Sequence, residues 1–154
     1  MKLLVDSEID FLSRANELIK PFEENNLTPN GYDLTVGSME FFAKKPTNYR
    51  SSPMPINSNF VIYTKEYIKL TDNMVAQLFL KSSLCCKGVM ATFGFVDAGF
   101  EGQLRLGMFN ASGAPLELSV GDKVCQIIFY DLDRKPKRDY AHRSGNFHRF
   151  RKDR

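Results

Sequence analysis

Short apolar or alternating segments follow one another along the chain from Phe60 to Tyr130. Turn-forming Gly, Pro and Asn residues separate them at intervals of roughly eight to twelve residues, a rhythm typical of β-sandwiches, barrels and jelly rolls. The segments are FVIYTKEYIKL, MVAQLFL, VMATFGFV, GQLRLGMFN, PLELSV and KVCQIIFY. The pattern therefore predicts a mainly β domain.

The segments before this region carry other signals. DSEIDFLSRANELIK has apolar residues at helical spacing, and Ser7 with Asp10 matches a capping box. Pro21 ends the pattern, so we predict one N-terminal helix before it. The Pro-, Ser- and Asn-rich stretch from Pro46 to Ser58 is predicted to be an exposed connection.

The end of the chain differs from the rest in charge. With 154 residues the protein has the length of one domain. Residues 134–154 have no periodicity and a charge balance of +7, whereas residues 1–133 have a balance of −4. We expect a β domain over 1–133 and a flexible basic arm over 134–154. The charge of the arm fits either an anionic partner or a solvated terminus.

The sequence predicts neither a membrane span nor a signal peptide. Its apolar runs are only a few residues long, too short to span a membrane. The first residues, MKLLVDSEIDF, include an acid at Asp6 and so lack the apolar core of a signal peptide. The three cysteines, Cys85, Cys86 and Cys125, lack metal-type spacing, which suits reduced thiols. We expect a cytoplasmic protein without a membrane partner, and buried packing for Cys85 and Cys86.

The folded body lacks histidine. The two histidines of the chain, His142 and His148, both lie in the arm. A Ser-His-Asp triad and the zinc site of zinc-dependent nucleobase deaminases therefore lack their residues. The acidic body offers no recognised nucleic-acid-binding module, so we expect no nucleic-acid partner.

Polar residues at or within apolar strands are candidates for binding. Lys81, Ser82 and Ser83 follow MVAQLFL, where a positive charge, two hydroxyls and backbone N–H groups either bind a phosphate or form a surface turn. Gln126 interrupts KVCQIIFY and either finds a core partner or faces a ligand.

One acid stands out in FVDAGFEG. Asp97 lies among apolar residues and glycines that allow tight turns. An acid in such surroundings is a candidate general base, and the alternative is a turn aspartate that caps its own backbone.

Four stretches occur in one order: NLTPNGYDLTVG, TKEYIKLTDNMVAQLFLKSSL, FVDAGFEGQLRLGMFN and LELSVGDKVCQIIF. In this order they resemble the successive motifs of the dUTPase and dCTP deaminase superfamily, with a weaker match in YAHRSGNFHRF. The N-terminal helix and the T-x-E-Y-I phrase resemble the deaminase branch, which also contains monofunctional dUTPases. The resemblance implies a distorted β-barrel or jelly roll of the dUTPase type, and a homotrimer with active sites at subunit interfaces.

The resemblance assigns roles to the polar candidates. Asp33 matches the first-motif aspartate, which supports a phosphate-bound Mg²⁺ site indirectly. Lys81, Ser82 and Ser83 fall on the second motif's Arg-Ser-Ser or Arg-Ser-Gly, whose members contact phosphates, although Lys lacks the bidentate fork of Arg. Gln126 matches the fourth-motif glutamine that contacts the phosphate chain.

Two positions of the third motif decide the predicted activity. Asp97 falls on the aspartate that dUTPases use to activate water. Gly107 falls where deaminases, in L-E-x-x-N, place the glutamate that moves protons during attack on the cytosine ring. Glycine has no proton to move, and Glu101 and Glu117 are not at the matching position. Monofunctional dUTPases have a small or apolar residue there, so the predicted function is dUTP diphosphatase.

The corresponding hypothesis for the mechanism uses one base and one metal. Asp97 deprotonates a water that attacks the α-phosphorus of dUTP, Mg²⁺ neutralises the phosphate oxygens, and dUMP and pyrophosphate form. Phe100 packs under the deoxyribose. In the arm, one of Arg143, Arg149 and Arg151 meets the γ-phosphate, with Arg143 as the preferred candidate, and Phe147 covers the base.

Two alternatives stay open. The first is a dCTP-directed enzyme, deaminating or bifunctional, which Gly107 argues against and ammonia release from dCTP would favour. The second is a superfamily member that binds a nucleotide or a protein partner without turnover. The replacement of Arg by Lys81 and the shifted spacing of the arm motif keep this alternative open.

Overall fold

The computed structural model describes residues 1–41, 48–49, 51–143 and 149. Its helices are α1 Asp6–Asn16, α2 Ser82–Cys85 and α3 Tyr140–Arg143. Its strands are β1 Lys2–Leu3, β2 Ile19–Lys20, β3 Leu27–Thr28, β4 Gly31–Phe41, β5 Asn48–Tyr49, β6 Ser51–Met54, β7 Ser58–Lys69, β8 Met74–Leu80, β9 Val89–Met90, β10 Phe95–Val96, β11 Glu101–Asn110, β12 Leu116–Ser119 and β13 Lys123–Asp131.

The strands build one curled antiparallel sheet and a short ribbon. Neighbours in the main sheet run in the order β10-β8-β13-β4-β7-β11-β9, with β1 on β13, β2 on β7, and β3 and β5 on β4. The pair β6–β12 stands apart from this sheet. Long strands bend at bulges on β4, β11 and β13, which lets the sheet close around its apolar face. The predicted mainly β barrel-like fold is confirmed.

Buried and exposed residues alternate along β11 and so define the two faces of the sheet. Leu104, Leu106 and Met108 are buried in the core, whereas Arg105 and Gly107 between them are exposed on the opposite face. Side chains of a strand point alternately to its two faces, so every second residue of β11 leaves the core. The exposed face is the one that carries the candidate chemistry.

Two buried polar residues tie the strands together. The Glu66 carboxylate on β7 accepts hydrogen bonds from the Thr35 backbone N–H at 2.9 Å and the Thr35 hydroxyl at 2.7 Å. Burial raises the pKa of Glu66, and the bonds from Thr35 oppose this. At the end of β11, the Asn110 Nδ2 donates to the carbonyl oxygens of Met54, Pro55 and Ala114. Asn110 thereby fixes the loops on either side of it.

The N-terminal helix is shorter than predicted and begins earlier. Val5 is its N-cap, and the Glu8 carboxylate accepts a hydrogen bond from the Val5 backbone N–H at 3.1 Å, so the Ser7–Asp10 capping box is wrong. The helix ends at Asn16 because Glu17 adopts a left-handed conformation, with φ of 56°. Ile19 then joins β2 instead of a further helical turn.

The stretch from Pro46 to Ser58 is also not simply an exposed connection. It contains β5 and β6, and β6 pairs with β12, where Met54 lies opposite Leu116. Met54 is fully buried, so one apolar residue in a Pro- and Ser-rich stretch holds this ribbon against the core. The composition of this stretch did not predict β6, because Pro53 and the serines are typical of turns and loops.

The cysteines differ from expectation as well. Cys85 and Cys86 in and after α2 are exposed, and the prediction that they are buried is wrong. Cys125 on β13 is fully buried, and burial raises the pKa of its thiol to about 12. All three cysteines are free in the structure, and the expectation of reduced thiols stays a prediction.

In the described part of the predicted arm, α3 lies against the body of the fold. The Tyr140 backbone N–H donates to the Ala98 carbonyl at 2.8 Å. The boundary at residue 133 stays a prediction. Among the described residues, every helix is too short or too polar to cross a membrane.

Candidate active site

Asp97 lies at the edge of a cavity of about 430 Å³, which we call the Asp97 cavity. Phe100, Arg105, Gly107 and Tyr140 contribute to its wall. Asp97 begins a tight turn in which the Phe100 backbone N–H donates to the Asp97 carbonyl at 3.1 Å. The turn leaves the Asp97 side chain exposed toward the cavity, where it can accept a proton from a water or a ligand.

Gly107 forms part of the floor of this cavity. A Cβ placed on Gly107 would meet no heavy atom within 4 Å, so the site has room for a side chain that the sequence does not supply. The same glycine borders a second cavity of about 660 Å³, next to Met90 and Phe109. The position that the resemblance assigns to a proton-moving glutamate is therefore open space beside Asp97.

Arg105 is a cavity residue that the sequence analysis missed. It lies two residues before Gly107 on the exposed face of β11, and its guanidinium sits over the Tyr63 ring at 5.6 Å. The Tyr63 hydroxyl donates to Glu40 at 2.7 Å, and burial raises the pKa of Tyr63. Arg105 could have been predicted from the sequence, because residues two apart in a strand lie on one face and Arg105 therefore shares its face with Gly107.

The C-terminal segment brings two more residues to Asp97. The Tyr140 ring meets the Phe100 ring edge-on, with centroids 5.4 Å apart. Phe100 is only 6% exposed and belongs to the core, so its ring presents little surface for the expected packing under a sugar. Arg143 and Asp97 both line a smaller cavity of about 210 Å³, and the role of Arg143 toward a phosphate stays a prediction. Phe147 lies outside the described residues.

The predicted phosphate-binding residues form a second group on β4, β8 and β13. Lys81 directly follows β8, and its Nζ lies 2.7 Å from the Asp33 Oδ2 on β4. Lys123, at the start of β13, also has its Nζ 3.6 Å from that oxygen. We call Asp33, Lys81 and Lys123 the lysine cluster.

Gln126 lies beside this cluster. Gln126 on β13 lies directly opposite Asp33 on the neighbouring strand β4, so both side chains are on one face of the sheet. The Gln126 Nε2 donates to the Thr28 hydroxyl at 2.8 Å, so the amide is held in one orientation. Ser82 and Ser83 begin α2 with exposed side chains next to Lys81. Sequence neighbours and register thus bring together the residues assigned to phosphate.

The two groups do not meet within one chain. The Asp97 cavity is not lined by Asp33, Lys81 or Gln126. One chain therefore presents a pocket with a carboxylate in one place and a positively charged cluster in another.

The lysine cluster does not fit a protein-held Mg²⁺. The described residues contain no group of three or more His, Cys, Asp or Glu side chains that could hold a metal ion. The Asp33 Oδ2 is engaged by two lysines, and Oδ1 is buried without a hydrogen-bond partner among the described residues. Mg²⁺ needs several oxygen ligands and tolerates neighbouring cations poorly, so Asp33 lacks the surroundings of a metal ligand.

Comparison with solved structures identifies the fold. The crystal structure of 2'-deoxycytidine 5'-triphosphate deaminase from Agrobacterium tumefaciens superposes with a TM-score of 0.74 at 18% identity, over 83% of this chain and 47% of that one. The EIAV dUTPase superposes with a TM-score of 0.54 at 21% identity, over 79% of this chain and 88% of that one. This chain thus spans about half the length of the Agrobacterium structure. The fold is that of the dUTPase and dCTP deaminase superfamily.

Comparison of sequences identifies the family. Residues 52–132 match the family model described as dCTP deaminase-like. The dCTP deaminase of Pyrococcus horikoshii is 36% identical over 90% of this chain and 88% of its own length. That of Thermococcus kodakarensis is 37% identical over 90% of this chain and 89% of its own length. The chain belongs to the dCTP deaminase-like family.

These comparisons overturn the prediction of a dUTP diphosphatase. The relatives that match along nearly the whole chain are named dCTP deaminase. The prediction depended on one position, Gly107, whereas the similarity extends over 141 residues. The open space at Gly107 therefore does not decide the activity, because the similarity to proteins named dCTP deaminase extends along nearly the whole chain.

Proposed function

We propose that the protein is a dCTP deaminase. The observation that carries this proposal is the identity of 36–37% with proteins named dCTP deaminase, over nearly their whole length. The reaction consumes one water: the water oxygen bonds to C4 of the cytosine, the C4–amine bond breaks, and dUTP and ammonia leave. The base of the nucleotide binds in the Asp97 cavity, and its phosphates bind at the lysine cluster.

Asp97 takes the role that Gly107 cannot take. Its carboxylate accepts the proton of the attacking water and returns a proton to the departing amine. Arg105, in the same cavity, stabilises negative charge as it develops on the base. Mg²⁺ arrives on the triphosphate as part of the substrate, and no step depends on a metal held by the protein.

The functional unit that we propose is a homotrimer with active sites at subunit interfaces. The separation of the Asp97 cavity from the lysine cluster supports it, since a second copy has to bring the two groups together. Phe95 at the cavity is 56% exposed, and Phe79, which pairs with Gln126 across β8 and β13, is 43% exposed. Large apolar side chains in such places favour burial against another copy.

A second candidate function is nucleotide binding without deamination. Gly107 favours it, since the cavity has open space where the resemblance implies a glutamate. In this case dCTP binds with its phosphates on the lysine cluster and is returned unchanged.

Product analysis separates these candidates. Purified protein is incubated with Mg²⁺ and dCTP, and ammonia and nucleotides are quantified for the wild type, Asp97→Asn and the control Glu117→Gln. Glu117 is an exposed carboxylate on β12 and does not line the cavity. We expect ammonia and a deoxyuridine nucleotide from the wild type and from Glu117→Gln, and a loss of about 100-fold or more in Asp97→Asn.

The same assay reports the final product. A relative from Hydrogenobaculum, 32% identical, is named dCTP deaminase, dUMP-forming, so dUMP and dUTP are quantified separately. Bound but unreacted dCTP would favour the second candidate. Equal activity in the wild type and Asp97→Asn would exclude Asp97 as the proton carrier.

A further inference from the structure

Lys123 has no role in the sequence analysis, yet it shares a partner with Lys81. Both ammonium nitrogens lie within 3.6 Å of one oxygen, the Asp33 Oδ2. The Lys123 Nζ also donates to the Asn25 carbonyl at 2.6 Å, which fixes its position. The two lysines come from opposite ends of strands, one following β8 and the other beginning β13. Neither is buried, since their side chains are 27% and 38% exposed.

Asp33 is the buried member of this group. Its side chain is only 6% exposed, and Oδ1 is shielded from solvent without a hydrogen-bond partner among the described residues. A buried carboxylate needs compensation by nearby positive charge, and here two lysines provide it through Oδ2. Two positive charges against one negative charge leave the cluster with an excess of one positive charge on its solvent side.

We propose that Lys123 is a second phosphate-binding lysine, and that Asp33 is a positioning residue that holds Lys81 and Lys123 at one anion site. An ammonium group has three donors. Lys81 uses one on Asp33, and Lys123 uses one on Asn25 while facing Asp33, so both keep donors for phosphate oxygens. The ligand is a polyphosphate chain, and the proposal rests on the proposed function because that chain belongs to the nucleotide.

This arrangement gives each residue a distinct role. The lysines neutralise the phosphate charge directly. Asp33 does not touch the phosphate and acts through the lysines, because without it two flexible side chains of like charge would repel each other and disperse. Holding them in place before the ligand arrives reduces the entropy lost on binding.

The test uses inorganic tripolyphosphate as the probe, which carries the charge of the nucleotide and no base. Its affinity for the full chain is measured by isothermal titration for the wild type, Lys123→Gln, Lys123→Arg and the control Lys20→Gln. Lys20 is an exposed lysine that pairs with Glu17 at the end of α1, so its substitution removes the same charge elsewhere. We expect Lys123→Gln to weaken binding about tenfold, Lys123→Arg to retain most of it, and Lys20→Gln to change it little.

Asp33→Asn distinguishes positioning from simple electrostatics by the sign of its effect. Removing a negative charge next to an anion site would strengthen tripolyphosphate binding if charge alone mattered. The positioning role predicts weaker binding. Thermal melts of each variant show whether it is folded, and the surface variant Lys123→Gln tests the proposal even if Asp33→Asn does not fold.

The outcomes separate this proposal from the proposed function. No tripolyphosphate binding by the wild type, equal affinities of Lys123→Gln and Lys20→Gln, or tighter binding by Asp33→Asn would each overturn it. Deamination of dCTP is measured on the same preparations. Binding that depends on Lys123 without deamination would support the anion site and contradict the deaminase proposal, and deamination without a Lys123 effect would do the reverse.

Discussion

Gly107→Glu is the substitution that tests the Asp97 cavity most closely. A Cβ at this position meets no heavy atom within 4 Å, and the cavity has a volume of about 430 Å³, so the glutamate fits without displacing the strand. Its backbone lies opposite Val61 in the interior of β11, where replacing glycine removes a cost of roughly 0.5–1 kcal/mol. The variant is therefore expected to fold.

The added carboxylate is expected to raise the rate of dCTP deamination. Arg105 on the same face favours the ionised carboxylate, which is the form that accepts a proton from water. Proton transfer by a positioned side chain contributes about 100-fold to 10,000-fold to a rate. Because Asp97 already supplies part of this, we expect a gain of about 100-fold.

The matched control is Gly107→Gln, which has the same shape and no titratable group. Ammonia release from dCTP is measured at saturating substrate for both variants and the wild type. If Gly107→Glu is no faster than Gly107→Gln, the cavity does not hold the cytosine ring within reach of position 107.

Two further predictions concern the stability of the frame around the site. Asn110→Ala removes the donors to three carbonyls and should lower the free energy of unfolding by about 2–4 kcal/mol. A thermal melt should show a fall in Tm of roughly 5–15 °C. A fall in Tm no larger than that of Ser112→Ala would contradict this prediction. Burial raises the pKa of Glu66 above its unfolded value of 4.5, so the protonated form contributes stability that is lost as pH rises. From pH 4.5 upward, the Tm of Glu66→Gln should therefore fall less steeply with pH than the Tm of the wild type. Parallel plots of Tm against pH would show that Glu66 is not the group responsible.

Most of the sheet could be predicted from the sequence because each long strand alternates or is apolar. MVAQLFL became β8 with the predicted bounds, and GQLRLGMFN became β11 with one residue added. The failures have local causes. The helix ended early because Glu17 takes a left-handed conformation. The strand β6 was not predicted because its buried residue Met54 is surrounded by residues typical of loops.

The site was predictable where strand register follows from the pattern, and less so where it depends on contacts across the fold. Gln126 and Asp33 face each other because their strands pair, and their motifs could be recognised in advance. Lys123 and Tyr140 reach their sites only through the closure of the sheet and the path of the C-terminal segment, which no local pattern encodes. The dUTP diphosphatase prediction was wrong because it relied on the side chain missing at Gly107, whereas the relatives that match nearly the whole chain are named dCTP deaminase.

The most direct test of the account is the product formed from dCTP by the wild-type protein with Mg²⁺. We expect stoichiometric ammonia and a deoxyuridine nucleotide from the wild type, both lost in Asp97→Asn and retained in Glu117→Gln. Recovery of intact dCTP, under conditions where titration shows that it is bound, would contradict the claim that this cavity deaminates cytosine.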